Sequence, residues 1–102
     1  MQHGEHFQTI AQIISSSITD DWERGWVEGE VGEDTSSLQF WFLKPDGEKG
    51  QNRPSTLQSV QVSDALIALR SQMAQDGNKP WSRAVFTLTP DGKFNLEVSY
   101  DD

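Results

Sequence analysis

The sequence predicts an α+β fold: a single antiparallel sheet of four to five strands with two helices packed on one face, in the order α-β-β-(β)-α-β-β. Three observations carry this. Phe7, Ile10, Ala11, Ile14 and Ile18 fall on one stripe of a 3.6-residue period. Residues 22–44 alternate apolar and polar around a short acidic loop, and residues 83–100 alternate around Pro90-Asp91-Gly92. Two hairpins can share one antiparallel sheet whose apolar face two amphipathic helices cover.

In chain order, the first helix is expected over Glu5–Ser17, ending in the poor helix formers Ser15-Ser16-Ser17 and the loop Thr19-Asp20-Asp21. The first hairpin follows. Val27 and Val31 share a face with Leu38, Phe40 and Phe42 only if odd positions pair with even ones. A loop of Glu33-Asp34-Thr35-Ser36, with Gly32 opposite Ser37, does this. It sets Glu28 opposite Trp41 and Glu30 opposite Gln39, on the face away from Phe40. A one-residue slip, with Gly25 or Gly29 as a bulge, would exchange the faces.

Pro45-Asp46-Gly47 is a turn, and the polar stretch to Pro54 reads as a loop. Ser55–Gln61 is assigned as a short third strand carrying Leu57 and Val60. The second helix is expected to start at Ser63, with Asp64 in its first turn, and to stop at Gly77 before Pro80. Leu66, Leu69, Arg70 and Met73 define one side of it. In the closing hairpin Thr89 pairs with Lys93, which puts Ala84, Phe86 and Leu88 beside Phe94, Leu96, Val98 and Tyr100. Gly92 supplies the left-handed position of its three-residue loop.

Composition bounds the function. With 102 residues the chain is one domain with one core of modest depth. Mean hydropathy is only −0.63, so four Trp and five Phe, each worth roughly 150–250 Å² of burial, must build that core. A net charge of −8 opposes binding to nucleic-acid phosphates or to an anionic membrane and favours a basic partner. The absence of cysteine excludes disulfides and thiolate chemistry and fits a reducing cytoplasm. The first residues, MQHGEHFQ, lack the basic-then-apolar pattern of a signal peptide, and no apolar run approaches the ~20 residues of a membrane span.

Motifs for catalysis are absent. His3 and His6 have no third metal ligand near them, and the spacing of Glu28 and Glu30, roughly 7 Å along a strand, describes an exposed acidic face better than paired catalytic carboxylates. No enzyme activity and no cofactor are therefore expected. Trp26 and Trp41 stand either as aromatics buried against the helices or as exposed anchors beside carboxylates. Trp22 and Trp81 sit at strand entrances and read as core plugs.

In its ordered motifs the chain resembles the YezG-type immunity proteins: W-E-R-G-W-V-E-G-E-V-G-E-D-T-S-S-L-Q-F-W-F-L-K-P-D-G, then N-K-P-W-S-R-A-V-F-T-L-T-P-D-G-K-F-N-L-E-V-S-Y-D-D. The likeness spans nearly the whole chain, which departs from it in a shorter segment between Pro54 and Ser63. It implies an antitoxin that binds a cognate C-terminal toxin domain of a polymorphic or contact-dependent growth-inhibition system, often a nuclease. A nuclease site is electropositive, so an acidic aromatic surface can block it as a nucleic-acid mimic, though binding at an exosite agrees equally well with the sequence. The candidate toxin-binding residues are Trp26, Glu28, Glu30, Glu33, Asp34, Trp41 and Glu97. The reading from another class is a small-molecule-binding or regulatory domain with a pocket between sheet and helices.

Overall fold

A computed structural model describes residues 2–19, 21–33, 35–75 and 80–100. The elements are α1 (Gln2–Ser17), β1 (Arg24–Val31), β2 (Ser36–Leu43), β3 (Lys49–Asn52), α2 (Thr56–Gln75), β4 (Arg83–Leu88) and β5 (Phe94–Ser99). All five strands form one antiparallel sheet in the order β3-β2-β1-β4-β5. The predicted class and element order hold.

Both helices lie on one face. From α1, Ile10 and Ile14 of the stripe are buried, joined by Ile13, and Ile18 is buried just past the helix end. From α2 come Val62, Ala65, Leu66 and Leu69, and from the strands Val27, Val31, Phe40, Phe42, Ala84, Phe86 and Leu88. The centre of the space between helices and sheet is thus filled by side chains. Trp81 is fully buried as expected, and its indole N–H meets no acceptor among the described residues, so its burial is carried by ring area alone. Its carbonyl accepts a 2.7 Å bond from Arg70 Nε, which ties α2 to the entry of β4. Phe7, Phe86 and Phe94 stack with centroids 5.3–6.2 Å apart. Phe94 still keeps 47% of its surface, because β5 is the outer strand of the sheet.

Two stretches differ from the sequence expectation. Residues Ser55–Gln61 are not a strand, and α2 begins seven residues before Ser63. The cause is a reciprocal cap: the Gln58 N–H donates to Ser55 Oγ at 3.1 Å, and the Ser55 N–H donates to Gln58 Oε1 at 3.0 Å. The pair satisfies two amide groups at a helix start, and the apolar residues Leu57 and Val60 do not outweigh it. Ser63 instead shares a 2.6 Å hydroxyl contact with Ser36 of β2. The third strand lies earlier, at Lys49–Asn52 inside the expected loop, where the chain turns at Pro45–Gly47 and pairs back onto β2.

The first hairpin keeps its predicted faces but shifts its register by two residues. Val31 pairs with Ser36, and the Gly32 N–H still donates to the Thr35 carbonyl at 2.8 Å, so only positions 33 and 34 lie between the last pair. Glu28 is opposite Gln39 rather than Trp41, and Glu30 is opposite Ser37 rather than Gln39. A shift of two preserves the alternation. At Gly29, φ is +156° and a β-carbon would lie 1.9 Å from the Ser37 carbonyl oxygen, so the close approach of β1 to β2 there requires glycine. The closing hairpin has the predicted Thr89–Lys93 pairing, with the Thr89 N–H donating to Lys93 at 2.9 Å and Gly92 at φ +90°.

Candidate functional site

Strand alternation sorts the sheet's residues into a helix-covered face and an open one. The open face carries Arg24, Trp26, Glu28 and Glu30 from β1, Gln39 and Trp41 from β2, and Lys49 and Gln51 from β3. Arg83, Val85 and Thr87 from β4 and Asn95 and Glu97 from β5 complete it. The shorter loop brings Trp26 and Trp41 directly opposite one another. Both are half-buried, so neither expected extreme applies: they are not packed under the helices, and they are not bare.

Their environment is specific. The Trp26 indole N–H donates to Glu28 Oε1 at 2.8 Å, which fixes the ring along its own strand. Lys49 Nζ lies 4.3 Å from the Trp41 ring centroid and 5.6 Å from that of Trp26, and the Arg24 guanidinium carbon lies 5.9 Å from Trp26. These distances are in the cation–π range, where an exposed contact is worth roughly 0.5–1 kcal/mol. The aromatic pair is therefore an ordered platform with two cations on it.

Charge on this face is divided. Arg24 and Lys49 sit at the aromatic end, while Glu28, Glu30 and Glu97 lie toward the β1–β2 loop, with Arg83 opposite Glu30. The candidates Trp26, Glu28, Glu30, Trp41 and Glu97 thus share one surface. Glu33 does not join them, because it borders a hollow toward α2 lined by Ile67, Arg70 and Ala74. Asp34 lies outside the described residues. Sequence reading missed Arg24, whose signal was its place two residues before Trp26 on the same strand, and Lys49 and Gln51, whose one signal was the turn at Pro45–Gly47 followed by a polar run, because a strand of Lys, Gly, Gln and Asn has no apolar alternation.

Elsewhere, His6 Nε2 is 3.2 Å from Gln72 Nε2 and links the two helices, while the His3 side chain lies outside the described part. No group of three or more His, Asp or Glu side chains converges as a metal site among the described residues. None of the described helices is long and apolar enough to cross a membrane.

The profile of the family described as "Immunity protein YezG-like" matches residues 4–102. The chain belongs to the YezG-like immunity protein family. Two curated relatives, each named Immunity protein YezG, are similar to it along most of its length. The one from Bacillus spizizenii is 22% identical over 111 aligned residues, covering 97% of this chain and 69% of the relative. The one from Bacillus subtilis is 24% identical over 108, covering 94% and 72%. Membership supports an immunity role and implies a toxin as partner.

Proposed function

We propose that this chain neutralises a cognate secreted bacterial toxin domain, a nuclease, by seating the open sheet face over it in the cytoplasm. The observation that carries the reading is the Trp26–Trp41 platform. Large amphipathic rings held in place by Glu28 and Lys49 offer contact area at little further entropic cost, the property of residues that dominate protein interfaces. Glu28, Glu30 and Glu97 supply carboxylates at one end of that face, and the chain's net charge of −8 draws a basic partner toward it. A nuclease that must hold a polyanion is such a partner. Because the face also bears Arg24, Lys49 and Arg83, its local charges balance in number, so steering comes from the whole chain and discrimination from the arrangement.

The test is a calorimetric titration of the purified toxin domain encoded by the adjoining gene. Glu28→Lys/Glu30→Lys is expected to weaken binding by at least about tenfold and to flatten its salt dependence. Affinity and salt dependence equal to the unaltered protein would remove this surface from the mechanism.

A further inference from the structure

The sheet has an unguarded edge. β2 is eight residues long but β3 only four, and their ladder covers only Phe40–Leu43. Beyond Asn52 come Arg53 and Pro54; proline has no N–H to extend a ladder, and the chain turns there into the cap of α2. On the side away from β1, Ser36–Gln39 therefore has no strand beside it among the described residues.

The direction of its backbone groups follows from the ladder. The Lys44 N–H donates to Glu48 on the β3 side at 2.8 Å, and the Leu43 carbonyl accepts from Glu23 on the β1 side at 2.7 Å. Alternation along an antiparallel strand then turns the N–H and C=O of Ser36 and Leu38 outward. They open onto a groove of about 470 Å³ between this edge and the start of α2, bordered by Leu38, Gln39, Arg53, Ser59 and Val60. On the helix, Leu57 and Val60 are 68% and 48% exposed. The opposite edge of the sheet, β5, carries Glu97 at mid-strand, a charge of the kind that discourages pairing; Ser36-Ser37-Leu38-Gln39 carries none.

We propose that this edge receives an extended segment of the toxin, which adds to the sheet as a sixth strand beside β2. The inference rests on the immunity reading and names a second contact for it, continuous with the open face through Gln39 and Gln51. The segment's chemistry follows from the groove. One row of its side chains meets Leu38 and Val60 and is apolar. The other passes Arg53, the only charged side chain among those lining the groove, and carries a carboxylate. A second copy of this chain is a poorer complement, because its own Ser36–Gln39 edge carries no carboxylate to meet Arg53.

The test uses the ¹⁵N-labelled chain saturated with the unlabelled toxin domain of the adjoining gene. The Leu38 amide, open to water in the free chain, is expected to exchange at least about tenfold more slowly in the complex. Val60→Glu, a change at an exposed position that leaves the urea midpoint unaltered, is expected to weaken binding at least about tenfold. A saturated complex in which Leu38 exchanges as fast as in the free chain, or in which Val60→Glu binds like the unaltered protein, overturns the added strand and leaves the immunity reading standing. No binding at all overturns both.

Discussion

Gly29→Ala probes the element on which the open face depends. The new β-carbon would lie 1.9 Å from the Ser37 carbonyl oxygen, 2.9 Å from its carbon and 3.0 Å from the Leu38 Cα. An ordinary carbon–oxygen approach is roughly 3.3 Å, so the backbone of β2 must retreat by more than about 1 Å. Nothing in contact is the far end of a flexible side chain; all of it is main chain in a paired strand. Backbone strain at φ +156° adds about 1–3 kcal/mol, and overpacking about 1–3 kcal/mol more, which together make roughly 2–6 kcal/mol. A domain of this size has about 5–15 kcal/mol in all. Urea denaturation at constant temperature should show a large fall in midpoint, and amide exchange should accelerate first in Glu28–Glu30 and Ser37–Gln39. A variant within about 0.5 kcal/mol of the unaltered protein would refute the close approach and, with it, the register that sets Trp26 opposite Trp41.

Other outcomes follow from single contacts. Ser55→Ala should lower stability by about 1 kcal/mol and loosen amide exchange in the first turn of α2, since Ser55 and Gln58 cap each other there. Phe86→Ala, at a fully buried ring stacked on Phe7 and Phe94, should cost about 3–5 kcal/mol in the same urea assay. The Thr89 hydroxyl, then the Lys93 N–H, hold the Asp91 carboxyl below the ordinary aspartate range. A depressed folded pKa means that the turn's contribution is complete above the unfolded value and is lost as pH falls through the folded one. NMR titration should place the Asp91 midpoint low, and Thr89→Val should raise it.

The faces of the first hairpin were legible because side-chain alternation survives any even shift of register: the same carboxylates stay outside whether the loop holds four residues or two. What alternation cannot report is loop length, which here was decided by the Gly32–Thr35 bond. The third strand was hidden for a related reason. Lys49–Asn52 lies against β2 through its backbone and buries little apart from Asn52, which bonds Ser17 Oγ at 2.7 Å, so it leaves no hydrophobic period to read. Leu57 and Val60 misled in the opposite direction. They look like strand residues seeking a core, yet they are exposed on a helix that its capping pair had already started. Of the candidate site, the two tryptophans and three of the carboxylates came from sequence. Lys49, the cation nearest the rings, needed the third strand to be found first.

On the proposed function, the Trp26–Trp41 platform is where the toxin would be held. Bacteria expressing the adjoining toxin domain under an inducible promoter measure it directly. Cells that also express the unaltered chain should grow. Cells expressing Trp26→Ser/Trp41→Ser, at equal abundance and with a folded circular-dichroism spectrum, should not, because loss of interface anchors worth about 2 kcal/mol or more each lowers affinity by at least about a thousandfold. Full protection by that double variant would contradict the account.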